Sequence, residues 1–222
     1  MIGILSGMGA AAGVHVLDVL IKECQRQGAK EDNSFPEIVL YSLPAAGMNE
    51  QGIANDNMIR TELAAGIEIL NKAGATVIIM ACNTVHIYRD MLQKKSAALI
   101  LDMPAAAVRA CKGASKVGVL SSHTMRELGV YDKAVHRIIG AECITVSEFE
   151  QGAVDKVVGH IIAGTVEGRH EIAMKSMVSD MIQSGAEKVI LGCTELPLLP
   201  LHFNPGILVD PAHEVVKEAL AL

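Results

Sequence analysis

Aromatic side chains are nearly missing from this chain: there is no tryptophan, with three tyrosines and three phenylalanines among 222 residues. A core built from such a composition must be aliphatic, which suits parallel strands buried on both faces. An excess of positive charge is also missing. Nineteen Lys and Arg stand against 25 Asp and Glu, a formal net charge of −6, which argues against nucleic acid or an anionic membrane as the main partner. No apolar run reaches the ~20 residues that a membrane-crossing helix needs. The opening MIGILSGMGAAAG has no basic n-region, so it reads as a buried strand entering a Gly-rich turn rather than as a secretory signal. Nucleotide-cradling patterns are lacking too: no GxxxxGK[ST] occurs, and Ser6 to Ala12 (SGMGAAA) lacks the third Gly of GxGxxG. No His/Cys cluster has zinc spacing, so neither metal nor organic cofactor is expected. Five cysteines, an odd number without an export signal, predict reduced thiols and a cytoplasmic location rather than a disulfide framework. Cys24, Cys111 and Cys143 read as small core residues.

What is present is ordinary for a folded chain, with half the residues hydrophobic and a fifth charged. Met1–Leu5 reads as a strand, and Ala10–Gln27 has helical spacing (Val14, Leu17, Leu20, Ile21, Cys24). Glu37–Ser42 is a second strand, followed by a Gly-, Ala- and Asn-rich exposed loop over Leu43–Asn57. Met58–Ala73 is an amphipathic helix stopped by Gly74. Val77–Ala81 is a strand ending at Cys82, Val85–Lys95 a helix, and Ala98–Leu101 a strand closed by Asp102 before a Pro104-led helix. In the second half, Lys116–Ser121 and Glu142–Ser147 read as strands. Gly152–Ser184 is mostly helical with a break near Gly164–Gly168. Lys188–Gly192 leads to Cys193, Gly206–Val209 is a strand, and Pro211–Leu222 is a last helix.

The two halves echo one another. Ala73–His86 (AGATVIIMACNTVH) and Ser184–Pro197 (SGAEKVILGCTELP) each run from Gly-Ala through an apolar stretch to a cysteine with a Thr close behind. Cys82 and Cys193 lie 111 positions apart, half of the chain. MIGILS at Met1 matches KVGVLS at Lys116, and Leu101-Asp102-Met103-Pro104 is echoed by Val209-Asp210-Pro211. Ordered matches point to a duplicated α/β scaffold of parallel strands with right-handed helical crossovers. The expected lobes are residues 1–102 with 211–222, and residues 103–210. Sheets of this kind bind ligands beyond the carboxyl ends of their strands, where both cysteines fall.

A cysteine that ends a strand and opens a helix sits where backbone N–H groups and the positive helix end favour a thiolate. Asn83, Thr84 and Thr194 add side-chain donors, and such turns can also hold a carboxylate. Two thiols can share one reaction. A thiolate takes a weakly acidic Cα proton, a thiol on the opposite face returns one, and the stereocentre inverts; the reverse direction exchanges the roles.

The segments Gly3–Gly9 (GILSGMG), Ala81–His86 (ACNTVH) and Gly192–Leu199 (GCTELPLL) resemble those of the aspartate/glutamate racemase family, cofactor-independent amino-acid racemases with two cysteines. The resemblance covers both halves. It implies two pseudo-symmetric α/β lobes with the active site in the cleft between them, a homodimer, and Cys82 and Cys193 as the acid/base pair on a small amino-acid substrate. It also implies that Met8, Asn83, Thr84 and Thr194 hold the substrate's carboxylate and amino group, with Thr124 a further contact. The chain departs from the family in two places. Members that act on acidic amino acids often carry an Arg after the second strand, where this chain has Leu43–Asn49 (LPAAGMN), and a Lys in the second half, where it has Ala163–Glu167 (AGTVE). A bidentate Arg reads carboxylate strongly, so an amino acid with a neutral side chain, or a broad range, competes with aspartate and glutamate. Arg60 and Arg169 are the cations that could substitute.

Several readings stay open. His86 is either a structural donor to the backbone or a group orienting thiol and substrate. Glu195 either tunes Cys193 or caps the next helix. A decarboxylase or cis-trans isomerase on the same scaffold, and a non-catalytic ligand-binding protein, are the rivals to a racemase.

Overall fold

The computed structural model describes residues 1–49 and 52–222. Two compact units divide it: Met1–Met48 with Ile53–Met103 and Ala212–Leu222, and Pro104–Pro211 with Asn49–Gly52.

In the first unit, β1 (Ile2–Ser6) is buried along its whole length, as the uninterrupted IGIL requires. It leads into α1 (Ala10–Arg26) and then β2 (Ile38–Ser42). The short strands β3 (Met48–Asn49) and β4 (Gly52–Ile53) pair with each other, so the stretch expected as an exposed loop carries local order, and Leu43 and Gly52 within it are buried. Glu50 and Gln51 of that stretch lie outside the described residues. Asn55 starts α2 (Asp56–Lys72) by accepting the Met58 N–H at 3.1 Å, a side-chain cap that satisfies an otherwise orphaned donor. Buried Ile59, Leu63, Ile67 and Leu70 recur at helical spacing along α2. Next come β5 (Val77–Met80), a 3-10 turn over Thr84–Tyr88, α3 (Arg89–Gln93) and β6 (Leu99–Ile100). The helix expected over Val85–Lys95 is thus split, with its first half wound more tightly.

The helix α4 (Met103–Arg109) leads to β7 (Lys116–Ser121). Two helices that the sequence reading did not single out follow: α5 (His123–Glu127) and α6 (Val130–Ile139). After β8 (Glu142–Thr145), α7 (Glu148–Ala163) begins four residues earlier than expected, because Ser147 and Glu150 form a reciprocal capping box. The expected break falls between α7 and α8 (Gly168–Gln183); β9 (Lys188–Gly192), β10 (Leu208–Val209) and α9 (Pro211–Leu220) complete the chain.

The two parallel sheets have the same plan. The first runs β2-β1-β5-β6 and the second β10-β9-β7-β8; in both, the sheet's first strand in chain order lies between that sheet's second and third. All pairings reported within them are parallel. The protein is therefore an α/β structure of two helix-flanked parallel sheets. Their cores are aliphatic: Leu5, Ile59, Ile67, Ile78 and Met80 in one, Leu120, Val154, Met174, Val178 and Val189 in the other. Full burial of each such side chain contributes about 1.5–3 kcal/mol.

Candidate active site

Register places the first group of singled-out residues. Leu5 of β1 pairs with Met80 of β5, and Ser6 with Ser42 of β2. The chain leaves these strands on one edge, as Gly7-Met8, Leu43 and Cys82. Beyond the strands proper, Ala81 N–H still donates to Leu5 O at 2.8 Å and Leu43 N–H to Ser6 O at 2.9 Å, so the departing segments start from fixed points. Gly7 has φ +98°, and a Cβ there would lie 2.1 Å from the Leu43 carbonyl oxygen. Only glycine meets both demands. Met8 and Cys82 are buried in one apolar cluster, and Asn83, Thr84 and His86 are buried beside them in sequence.

His86 closes this turn. Its backbone N–H donates to Asn83 O at 3.1 Å, and its Nδ1 lies 2.9 Å from the Cys82 carbonyl oxygen. A carbonyl only accepts, so the proton is on Nδ1 and Nε2 carries a bare lone pair. Nε2 is buried without a hydrogen-bond partner. Burial pushes the pKa of His86 below its ordinary value, an effect partly offset by the charge of Asp102. The ring is a neutral brace on the Cys82 backbone.

In the second unit Ser121 of β7 pairs with Gly192 of β9, so Cys193 and the α5 segment leave neighbouring strand ends. Thr124 sits in the first turn of α5, which Ser122 caps through the Met125 N–H. Gly192 has no room for a side chain, because a Cβ would meet the Tyr131 ring at 2.7 Å. Cys193, Thr194 and Glu195 are all buried. The Cys193 thiol donates to Glu195 Oε2 at 3.0 Å, and the Thr194 hydroxyl reaches the same oxygen at 3.3 Å. Glu195 makes no side-chain capping bond to the following turn. Its carboxylate serves the thiol.

One expectation is corrected. Neither cysteine opens an α-helix: a five-residue 3-10 turn follows Cys82, and a three-residue one, Leu196–Leu198, follows Cys193. The dipole of an α-helix comes from many aligned peptides, and these turns are too short to supply it. At Cys193 the side chains of Glu195 and Thr194 do the local work instead.

The two candidate cations are both engaged. Arg60 Nε donates to Asp56 at 2.7 Å and its guanidinium lies 4.7 Å above the Tyr88 ring. Arg169 pairs with Glu167 at 3.1 Å. Sequence reading missed Asp56 and Tyr88 as the partners of Arg60, Glu62, which accepts the Ala46 and Gly47 N–H groups, and Gln151, which donates from α7 to Ser121 O at 3.0 Å and to Asp155 at 2.9 Å. A buried Gln four residues before an Asp on one helix face is the signal that could have found the last pair. Among the described residues, no group of three His, Cys, Asp or Glu side chains could hold a metal ion, and no helix is long and apolar enough to cross a membrane.

The comparisons with known proteins agree with one another. The chain is 26% identical to a broad specificity amino-acid racemase, RacX, of Bacillus subtilis, over all of this chain and 97% of that one. It is 29% identical to a glutamate racemase of Desulforudis audaxviator over 69% of this chain and 58% of that longer protein. The fold matches the crystal structure of an aspartate racemase homologue from Pyrococcus horikoshii with a TM-score of 0.78 at 22% identity, covering 99% and 97% of the two chains. The Asp/Glu/Hydantoin racemase family model matches residues 5–219. With nearly the whole length accounted for, the chain belongs to the Asp/Glu/Hydantoin racemase family and is an isomerase of the racemase class.

Proposed function

We propose that the protein interconverts the L- and D-forms of an amino acid by proton transfer at Cα between Cys82 and Cys193. The observation that carries this reading is the matched placement of the two thiols. Each follows the third strand of a parallel sheet, the two sheets share one strand order, and each cysteine is buried and followed in sequence by buried polar residues, Asn83 and Thr84 in one case and Thr194 in the other. Residues 1–102 with 211–222 and residues 103–210 are the proposed lobes, each supplying one thiol, and the proposed assembly is a homodimer. The scheme itself calls for no cofactor.

In one direction Cys82, as thiolate, removes the Cα proton and Cys193, as thiol, donates one from the opposite face. In the other direction the roles exchange. A thiol that donates to the Glu195 carboxylate is in its protonated form, so Glu195 holds Cys193 as the resting donor. Met8, Asn83, Thr84, Thr124 and Thr194 are the proposed substrate contacts. The similarity to a broad specificity amino-acid racemase over the whole chain supports a substrate range wider than aspartate and glutamate.

Incubation in heavy water with a panel of L- and D-amino acids, followed by NMR at Cα, tests the reading. Exchange with inversion is expected from the unaltered protein. Cys82→Ser and Cys193→Ser should each abolish inversion while leaving slow exchange without inversion from one enantiomer. Normal racemisation by either variant would overturn the two-thiol scheme.

A further inference from the structure

The two units finish their first strands differently. In the first, β2 keeps pace with β1 to its last residue, where Ser6 pairs with Ser42, and the next backbone N–H, that of Leu43, goes to Ser6 O at 2.9 Å. In the second, β8 stops beside Val119, two residues before β7 ends at Ser121. MIGILS and KVGVLS put Ser6 and Ser121 at the same place in the two strands. Where Ser6 O takes a backbone N–H, Ser121 O takes a side chain: the Gln151 amide reaches it from α7 at 3.0 Å. Gln151 is only 2% exposed, and its amide is oriented. Nε2 donates both to Ser121 O and to Asp155 Oδ1, the latter at 2.9 Å and one helical turn on. A carbonyl oxygen only accepts, so the nitrogen must face Ser121. Oε1 is left buried without a hydrogen-bond partner. A buried orphan acceptor costs stability, and the two bonds at the nitrogen end hold the amide in this pose.

The atom that Gln151 holds lies next to the thiol-bearing segment. Ser121 pairs in register with Gly192, the residue before Cys193. The strands are close there, since a Cβ on Gly192 would lie 3.0 Å from Leu120 O and 3.2 Å from Ser121 Cβ. Ser122, next in the chain, caps α5, which carries Thr124. Val154 and Val158, on the same face of α7 as Gln151 and Asp155, belong to the apolar cluster of Cys193, Leu196 and Leu199. The helix α7 packs against both α5 and the turn after Cys193. A shift of the β7 end against α7 therefore moves the Cys193 turn and the Thr124 segment together.

We propose that Gln151 is a positioning residue of the racemase reaction: its amide takes the place at the end of β7 that the Leu43 N–H holds at the end of β1, and so fixes where the Cys193 thiol stands. It acts through Ser121 and Gly192. This inference rests on the two-thiol reading of Cys82 and Cys193. In that reading each thiol serves one face of Cα, so misplacing one slows proton transfer on that face alone. The other face still works. The Cα–H bond breaks, its electron pair stays on Cα and the proton goes to the Cys82 sulfur. That sulfur exchanges its proton with solvent and, with Cys193 out of place, returns a solvent proton to the same face. The result is exchange without inversion, from one enantiomer.

The test uses two variants. Gln151→Met keeps the length and removes both donors; Gln151→Asn keeps the amide but is one methylene too short to reach Ser121 O. Each is compared in heavy water with the unaltered protein, Cys82→Ser and Cys193→Ser, on both enantiomers of the amino acid that the unaltered protein turns over fastest, with unfolding midpoints to establish folding. Inversion should fall by about tenfold in both directions. The ratio of exchange to inversion should rise by about tenfold for the enantiomer that Cys193→Ser exchanges, and not for the other. The variants would thus be weak copies of Cys193→Ser. A ratio that stays put for both enantiomers, rises for both, or rises for the enantiomer that Cys82→Ser exchanges overturns the inference alone. Loss of folding in both variants also overturns it, since Gln151 is then a residue of the fold. Normal racemisation by Cys193→Ser, or failure of every amino acid to exchange, overturns the two-thiol reading and this inference together.

Discussion

Cys193 and Cys82 carry the same functional group in different settings. The thiol of Cys193 is hydrogen-bonded to a carboxylate at 3.0 Å, whereas at Cys82 it is the backbone carbonyl that His86 holds at 2.9 Å. Racemisation constrains what such asymmetry can do. Two enantiomers have equal free energy, so the equilibrium constant is one, and any variant must change kcat/KM equally in both directions. A one-sided role for Glu195 therefore cannot show in the ratio of kcat/KM between the enantiomers. It shows in the chemistry of its own thiol. Glu195→Gln keeps an acceptor beside Cys193 but removes the negative charge that disfavours a thiolate. Alkylation of Cys193 by iodoacetamide should speed up in this variant, measured by peptide mass spectrometry, since the thiolate is the reacting form. Turnover should fall by on the order of tenfold, because the resting donor is no longer held protonated. Slower alkylation would mean that Glu195 acts as a base toward the thiol rather than as its holder.

At the scale of elements, the short turns after the strands matter more than the helices. Gly7 is the tightest of them, with φ +98° and the Leu43 backbone against its α-carbon. Gly7→Ala adds a Cβ where there is only 2.1 Å to a carbonyl oxygen and forces a backbone conformation that L-residues avoid. The variant should lose about 2–4 kcal/mol of stability in denaturant titration and most of its turnover, since Met8 and the loop after β2 move with this turn. An unchanged midpoint would show that the turn relaxes freely. The strands, by contrast, could be read directly from sequence. Aliphatic runs such as IGILS and KVGVLS have no other way to bury both faces, and β7 has the bounds read from its residues. The break between α7 and α8 was legible because two glycines flank it. The turn after Cys82 was not. VHIYRDMLQ has helical spacing, and the bonds that His86 makes back to Cys82 and Asn83 tighten its start. Glu62 and Asp56 were hidden for a related reason. Their partners lie 15, 16 and 32 positions away, and no local pattern encodes such pairs.

Across the whole molecule, the buried titratable groups predict how stability responds to acid, in two separate stages. His170, at the start of α8, accepts the Glu167 backbone N–H on Nδ1 at 2.9 Å and stacks on His160 at 4.3 Å between ring centres. Burial first, then the charges of His160 and Arg169, push its pKa below 6.5, against a weaker opposing pull from Glu167. His86 is depressed in the same direction, chiefly by burial. For both, the unfolded chain takes up a proton at a pH where the folded chain does not. Stability is therefore undisturbed above the ordinary histidine value and falls as pH drops from there toward the lower folded value. Glu23 has the opposite origin. Hydrogen bonds from Arg26 and Gln27 lower its pKa from 4.5 to about 2, so its contribution is complete above 4.5 and is lost as pH falls toward about 2. Unfolding midpoints measured across pH should fall first below about 6.5 and again below about 4.5. His170→Gln, whose amide oxygen can still accept the Glu167 N–H, should shrink the first stage to the share of His86 and leave the second intact. Glu23→Gln should do the reverse. If His170→Gln loses stability between about pH 7 and pH 5 as steeply as the unaltered protein, the cap on α8 is not what senses the proton, and the depressed His86 is the next group to replace in the same measurement.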